Sequence, residues 1–462
     1  MNIHLLGICG TGMAALAGIL KEQGHRVTGS DEHAYPPMSD FLAALGIPVA
    51  NGYAPENLSP APDLVVVGNV IRRENPEAQA VLARNFPLLS LPEALNRFLV
   101  GDRHSLVVTG THGKTTTTAL LAWLLYSLGM DPGFMVGGIA KNFDSNYRVG
   151  AGPYVVLEGD EYDTAFFDKR PKFIHFRPRA AIITSIEFDH ADIYADLGQV
   201  VRSFESFLDV IPPEGRVLAW GDAPLVRQVC RGREGVLYYG LHGPDLTWRA
   251  ANLTPVMGGM EFTIFREGEP WGDFHLPLLG AHNVLNALAA LGVLAEVGAA
   301  PDQIARALKD FQGVKRRQEV VGEFWGTLVM QDFAHHPTAV AETLKAVRQG
   351  YPGRRLVAVF EPRTNTSRRK VFQEPYAHAF KDADLVLVRE PPDLWKAPPE
   401  DRFSSQQLVA DLQAQGEKAL YFPDTDQLLF GLLQNLGIGD LVLIMSNGDF
   451  DHLVPRFCQF LK

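Results

Sequence analysis

The chain has 462 residues, which is too long for one hydrophobic core and, at about 100 to 200 residues per domain, predicts three domains. Hydrophobic residues make up 46% of the chain and charged residues 21%, which excludes extended disorder and collagen-like repeats. The 42 Lys and Arg residues against 53 Asp and Glu give a net charge of −11, which argues against a nucleic-acid partner and against adhesion to anionic membranes.

The three cysteines, Cys9, Cys230 and Cys458, are scattered and lack the spacing of a disulfide framework or a zinc site, which fits a reducing compartment. No apolar run reaches the roughly 18 residues that a membrane-spanning helix needs, so we predict no membrane insertion. These features predict a cytoplasmic protein, and the sequence does not indicate its oligomeric state.

Short apolar runs that end in Gly, Asp or Asn alternate with helical patterns, which is typical of a parallel α/β fold. The runs form three series: strands at 3–6, 26–28 and 64–67 with a helix at 13–22; strands at 106–108, 155–157 and 181–184 with a helix at 116–128; and strands beginning at 328 and at 357–360, 385–388 and 441–445. Polar breaks between the series predict domains of residues 1–103, 104–313 and 314–462.

The most informative motif is a strand that runs into Gly-Lys-Thr and then a helix. Residues 107–115 read Val-Val-Thr-Gly-Thr-His-Gly-Lys-Thr, the pattern of a phosphate-binding P-loop, although Val108 replaces its first glycine. Lys114 supplies a point charge and the Thr115 hydroxyl can bind Mg²⁺. The predicted phosphate contacts are Gly110, Thr111, His112, Gly113, Lys114, Thr115 and Thr116. The alternative is a tight strand-to-helix turn without a ligand.

Two acidic stretches follow strands that we expect beside the P-loop. The run at 154–157 ends in Glu158, and the run at 181–186 leads to Glu187, Phe188, Asp189 and His190. Glu158 and His190 are therefore candidate ligands for Mg²⁺ between ATP and a second anionic substrate. The alternative is that these carboxylates are solvated loop edges.

A glycine pattern near the N-terminus resembles a dinucleotide-binding loop. Gly7, Gly10, Thr11 and Gly12 follow a strand and open a helix, and Asp31 ends the next strand. Because Cys9 occupies the position of the middle glycine, a nicotinamide cofactor is disfavoured, but the loop can still bind a diphosphate and Asp31 a ribose hydroxyl. A purely structural turn is the alternative.

Three further groups of polar residues lie beyond the P-loop. Asn283 and Asn286 lie one turn apart on a predicted helix, where they can present amides to a purine edge or simply cap the helix. The basic triplet 315–317 is placed to close over a γ-phosphate or forms a solvated turn. The segment 332–337, Asp-Phe-Ala-His-His-Pro, follows the first strand of the third series, where open parallel sheets bind ligands.

In this order the motifs resemble the Mur ligase family, ATP-dependent enzymes that form amide bonds in peptidoglycan metabolism, and the resemblance covers essentially the whole chain. It implies an α/β fold of three domains, with Rossmann-like N- and C-terminal domains around a central P-loop ATPase-like parallel sheet. Residues 29–31 with 35–39, 160–170 leading to 175–179, and 361–369 are similar to the branch that attaches the recycled tripeptide L-alanyl-γ-D-glutamyl-meso-diaminopimelate to UDP-N-acetylmuramate.

The resemblance also implies a role for each matching residue. It implies ATP contacts at Lys114, Thr115, Asn283, Asn286, Arg317, Asp332 and His335, metal ligands at Thr115, Glu158 and His190, catalytic roles for Lys114, His190, Arg317 and Asp332, and binding of the UDP-sugar at Gly7, Gly10, Thr11, Gly12 and Asp31. The metal is Mg²⁺, with Mn²⁺ as an alternative. For the acceptor peptide, Arg363, Arg368 and Arg369 are candidate carboxylate partners, or else surface arginines.

Three other functions remain as alternatives. The same scaffold fits a ligase that adds L-alanine to UDP-N-acetylmuramate. The second alternative, a nicotinamide-dependent oxidoreductase, would not explain the Gly-Lys-Thr loop. The third, a P-loop switch protein, would not explain the substrate-side motifs.

Overall fold

The computed structural model describes residues 1–34 and 38–462 of the chain. The predicted specificity segment at 35–37 lies outside the described residues. The chain forms three successive α/β units, each a mainly parallel sheet covered by helices, so the expected fold class is confirmed.

The first unit contains a five-stranded parallel sheet in the order β3-β2-β1-β4-β5. Its elements are β1 Asn2–Leu6, α1 Thr11–Glu22, β2 Arg26–Asp31, α2 Met38–Ala44, β3 Val49–Asn51, β4 Leu64–Val67, α3 Pro76–Ala83, β5 Leu88–Ser90 and α4 Leu91–Leu95. Strand β4 is Leu-Val-Val-Val and is buried throughout, as expected for a strand covered on both faces.

The central unit contains a ten-stranded sheet in the order β17-β16-β15-β14-β13-β12-β6-β9-β7-β8, and a separate hairpin of β10 and β11. Its strands are β6 His104–Thr109, β7 Gly133–Ala140, β8 Ser145–Arg148, β9 Tyr154–Gly159, β10 Asp163–Ala165, β11 Asp168–Pro171, β12 Ala180–Ile183, β13 Arg216–Trp220, β14 Val236–Gly240, β15 Trp248–Val256, β16 Gly259–Arg266 and β17 Glu269–Leu276. Its helices are α5 Lys114–Ser127, α6 Leu197–Val210, α7 Pro224–Val229, α8 Ala281–Glu296 and α9 Pro301–Lys309.

The third unit contains a six-stranded sheet in the order β18-β19-β23-β20-β21-β22, in which only β18 is antiparallel to its neighbour. Its elements are β18 Glu319–Phe324, β19 Thr327–Asp332, α10 Pro337–Gly350, β20 Leu356–Phe360, α11 Gln373–Ala377, β21 Leu385–Arg389, α12 Ser405–Ala414, β22 Ala419–Phe422, α13 Thr425–Asn435, β23 Leu441–Met445 and α14 Leu453–Phe460.

Strand order brings the predicted motifs together. Strand β6, which leads into the P-loop, pairs in parallel with both β9 and β12, so the loops after these three strands meet at one edge of the central sheet. The loops after β19, β20 and β23 meet in the same way at the edge of the third sheet. Within residues 1–34 and 38–462, no helix has the length and apolar character needed to cross a membrane.

Candidate active site

The P-loop contains two backbone conformations that only glycine adopts easily. Gly110 and Gly113 have φ values of 131° and 81°, and helix α5 begins immediately afterwards at Lys114. The Lys114 ammonium donates to the Gly110 carbonyl at 2.6 Å and to Glu161 Oε2 at 2.9 Å. Burial lowers the pKa of Lys114, but Glu161 and Asp160 outweigh burial and the net shift is upward. The lysine is therefore kept positively charged at the position where P-loops meet phosphate.

Thr115 and Glu158 form a pair of hard oxygen donors. The Thr115 hydroxyl donates to Glu158 Oε1 at 2.7 Å, and the Gly137 N–H donates to Glu158 Oε2. Burial, followed by the nearby Asp160, raises the pKa of Glu158, so its negative charge is unfavourable without a cation. This hydroxyl and this buried carboxylate fit a Mg²⁺ ion, because a bound cation would stabilise the negative charge of Glu158.

His190 lies beside the carboxylate of Glu161. Its Nε2 lies 3.7 Å from Glu161 Oε1, while Glu161 also binds Lys114. Glu161 is only 2% exposed. Glu161 therefore links two predicted catalytic residues. Its position in the sequence, three residues beyond Glu158, did not set it apart from the neighbouring acidic residues.

Arg317 and Asp332 reach this edge from the third unit. Arg317 Nη2 donates to Thr115 Oγ1 at 3.4 Å, and its guanidinium lies 4.5 Å from the centroid of the Phe333 ring. Asp332 is buried and accepts backbone N–H groups from Gln318 and Ala334, both at 2.7 Å. Burial raises the pKa of Asp332, although Arg317 opposes the shift. The two predicted residues therefore lie together beside the P-loop.

Asn283 and Asn286 lie against the P-loop from helix α8. Asn283 Nδ2 donates to the Leu279 carbonyl at 2.9 Å, and Asn286 Nδ2 donates to Asn283 Oδ1 at 3.2 Å. A side chain at Gly113 would collide with Asn286 Oδ1. His282, which the sequence analysis did not select, lies next to them with Nε2 3.3 Å from Gln318 Nε2.

His335 faces the central unit, with its Nε2 3.9 Å from Asp189 Oδ2. Burial tends to raise the pKa of Asp189, but His335, His190 and His336 hold it well below its usual value. Asp189 therefore stays ionised between two of the predicted site histidines.

The N-terminal glycine loop follows β1. Gly7 has a φ of 77°, its N–H donates to the Ser30 carbonyl at 2.8 Å, and the Gly10 N–H donates back to Gly7 at 3.2 Å. Thr11 and Gly12 form the first turn of α1, which leaves helix N–H groups available for a diphosphate. Asp31 Oδ2 accepts the Cys9 N–H at 2.8 Å and Oδ1 accepts the His33 N–H at 3.5 Å, so a ribose hydroxyl would use a remaining lone pair of the carboxylate.

The three candidate acceptor arginines do not converge. Arg368 is buried, and its Nε donates to the Pro392 carbonyl at 2.8 Å. Arg369 Nε lies 3.7 Å from Asp401, away from the sheet edge. Arg363 is half-buried, and its Nη1 lies 3.2 Å from Asp449 Oδ1 and 3.7 Å from Glu361 Oε2. All three arginines thus have partners within the third unit, and their role as acceptor contacts beyond the strand at 356–360 stays a prediction.

Three family descriptions match the chain along its length. They are the Mur ligase family catalytic domain at residues 2–103, the Mur ligase middle domain at 108–294, and the Mur ligase glutamate ligase domain at 316–448. The chain belongs to the Mur ligase family. Together the three matches account for most of residues 2–448.

Known proteins similar to this Mur ligase differ in their acceptors. The UDP-N-acetylmuramate–L-alanyl-γ-D-glutamyl-meso-2,6-diaminoheptandioate ligase of Haemophilus influenzae is 40% identical over 468 residues, covering 100% of this chain and 99% of that protein. The crystal structure of a murein peptide ligase from Psychrobacter arcticus has 33% identity and a TM-score of 0.73, covering 100% and 98%. A UDP-N-acetylmuramate–alanine ligase from Thermotoga maritima has 26% identity and a TM-score of 0.82, covering 100% and 99%.

Proposed function

We propose that this Mur ligase uses ATP to join UDP-N-acetylmuramate to the tripeptide L-alanyl-γ-D-glutamyl-meso-diaminopimelate, a reaction of peptidoglycan recycling. The observation that carries the ligase chemistry is the contact of Arg317 with Thr115, which sets a cation from the third unit against the P-loop. The tripeptide acceptor is supported by the 40% identity over the full length to a ligase named for that substrate.

The proposed division of labour follows the three domains. Residues 1–103 bind the UDP-sugar through Gly7, Gly10, Thr11, Gly12 and Asp31, residues 104–313 bind ATP, and residues 314–462 close on ATP and bind the peptide. The partners are therefore small molecules. We assign the protein to the cytoplasm, where its three free cysteines stay reduced and nucleotide substrates are available.

In the first chemical step, a carboxylate oxygen of the muramate attacks the γ-phosphorus of ATP and ADP leaves, which gives an acyl phosphate. Lys114 and Arg317 stabilise the negative charge that spreads over the phosphoryl oxygens. The acyl phosphate hydrolyses readily in water, so closure of the third domain over it favours ligation.

In the second step, the tripeptide amine attacks the acyl carbon, the C–N bond forms and phosphate leaves. The amine must lose a proton, and we assign its acceptance to His190, whose Nε2 lies 3.7 Å from Glu161 beside Lys114. Asp332 accepts the N–H groups of Gln318 and Ala334 and so positions the segment that carries Gln318.

Thr115 and Glu158 are the residues that would hold Mg²⁺, with Mn²⁺ as a substitute of similar ligand preference. When bound, the ion neutralises charge on the phosphate oxygens. Glu161 keeps Lys114 in place for the same phosphates.

A direct test is ADP release by the purified ligase with UDP-N-acetylmuramate and either the tripeptide or L-alanine as acceptor. The tripeptide should give the higher kcat/KM, and the product should have the mass of the tripeptide adduct. Free L-alanine ligation is the second candidate, favoured by the TM-score of 0.82 to the alanine-adding enzyme. A higher kcat/KM with L-alanine would replace the tripeptide assignment.

A further inference from the structure

Two histidines and a glutamate meet where the third unit touches the P-loop. His112 lies in the P-loop, Glu187 follows β12, and His336 precedes helix α10. Glu187 Oε2 lies 3.5 Å from His112 Nε2 and 3.7 Å from His336 Nδ1, and all three ligand atoms are within 4.8 Å of one another. None of these contacts involves Thr115 or Glu158.

These separations match the edges of a metal coordination tetrahedron. With metal–nitrogen and metal–oxygen bonds of about 2.1 Å, neighbouring ligands in a tetrahedron lie about 3.4 Å apart. The two measured edges are close to this value. The third edge joins the two imidazoles, whose ring centroids lie 4.5 Å apart with planes tilted by 55° and whose ligand nitrogens lie within 4.8 Å of each other.

The hydrogen bonds at His336 decide which of its ring nitrogens can bind a metal. His336 Nε2 lies 3.3 Å from the Phe188 carbonyl, and donation there leaves the lone pair on Nδ1, which accepts the Thr338 N–H at 3.3 Å and would exchange that long hydrogen bond for a metal. His112 Nε2 is buried without a hydrogen-bond partner. The Thr338 hydroxyl donates to Glu187 Oε2 at 2.7 Å and orients the carboxylate as an outer partner of a metal ligand would.

We propose that His112, Glu187 and His336 bind a Zn²⁺-type cation that bridges the central and third domains. Two imidazoles and one carboxylate prefer Zn²⁺ to Mg²⁺, whereas the oxygen pair at Thr115 and Glu158 suits Mg²⁺. Because one ligand comes from the third domain, the bound ion holds that domain against the P-loop. Excess Zn²⁺ should therefore inhibit ligation by hindering the opening that admits ATP.

The test is calorimetric titration of Zn²⁺ into chelator-treated, nucleotide-free protein. Wild type should bind one ion per chain, and His336→Asn and Glu187→Gln should each weaken binding at least about tenfold. Both variants keep a side-chain oxygen for the hydrogen bonds at Thr338, so the fold is expected to survive, as checked by circular dichroism. His378→Ala removes an exposed histidine that lies 3.4 Å from Glu374 and should leave the affinity unchanged.

Co²⁺ provides a spectroscopic test of the same site. Wild type should show intense visible absorption of tetrahedral Co²⁺, and His336→Asn should abolish it. Unchanged Zn²⁺ affinity in both variants, or a Co²⁺ spectrum that His336→Asn does not alter, would overturn the proposal. Neither readout depends on ligase activity, so failure here leaves the proposed function in place.

Discussion

Lys114 illustrates how single residues set the chemistry of this ligase. Its ammonium is surrounded by Glu161, Asp160 and Glu158, and this concentration of negative charge keeps it protonated despite burial. The same carboxylates repel one another, and the charge of Asp160 therefore raises the pKa of Glu158. Cations in the site therefore relieve a repulsion that folding creates.

Replacing Glu158 by Gln should raise the Mg²⁺ concentration needed for half-maximal activity by at least about tenfold, because the metal loses a charged oxygen ligand. The measurement is ADP release over a Mg²⁺ titration, and the KM for UDP-N-acetylmuramate should stay constant. Glu296→Gln is the control, since Glu296 lies 3.3 Å from Arg266 at the end of α8 opposite to Asn283. An equal loss of activity at low and saturating Mg²⁺ would show that Glu158 is not a ligand.

At the scale of secondary structure, strands buried on both faces were predictable. The runs 64–67 and 441–445 were predicted as observed for β4 and β23, and most other predicted strands differ from the observed ones by one or two residues at an end. The antiparallel strands β15 to β17 were missed because their buried and exposed residues alternate and form no continuous apolar run. Helix α5 begins at Lys114 instead of residue 116 because the loop ends at Gly113.

The sequence predicted which residues of the candidate site follow neighbouring strands. It did not predict the contacts that depend on the conformation of the loops. Parallel pairing of β6 with β9 and β12 explains why Glu158 and His190 lie near the P-loop. By contrast, the distances of Glu161 to Lys114 and of Glu187 to His336 depend on loop conformation and on packing between domains. Sequence spacing carries no information about either.

Arg363 and Arg368 lie in the loop after β20, and the sequence analysis predicted the same role for both. Arg368→Ala should lower the free energy of unfolding by about 2 kcal/mol, because it leaves the Pro392 carbonyl without its charged donor. Arg363→Ala should instead raise the tripeptide KM about thirtyfold, equivalent to about 2 kcal/mol, with little change in Tm. Urea unfolding and acceptor kinetics on both variants make each the control for the other. A KM effect in Arg368→Ala without loss of stability would support its predicted role as an acceptor contact.

At the scale of the whole molecule, polar contacts join the central and third domains around the site. Thr366 provides two of them, since its hydroxyl donates to Asp189 Oδ1 at 2.8 Å and accepts the Ala191 N–H at 3.1 Å. Asn365 adds a hydrogen bond to Asp192 at 2.8 Å. Polar interfaces of this kind open and close at low cost, which suits an enzyme that must admit ATP and then exclude water.

Thr366→Val should therefore weaken closure without changing the shape of the side chain. Two lost hydrogen bonds, one to a charged acceptor, are together worth about 2 kcal/mol, so kcat/KM for ATP should fall at least about tenfold. Small-angle scattering should show a larger radius of gyration, and the affinity for UDP-N-acetylmuramate should be unchanged because its proposed loop lies in the first domain. Thr263→Val removes a similar bond, Thr263 Oγ1 to Asp273 Oδ1 at 2.7 Å, within the central sheet and should preserve activity. If Thr366→Val matches wild type in both scattering and kcat/KM, closure does not depend on this contact and the observed domain arrangement is not the one that limits the reaction.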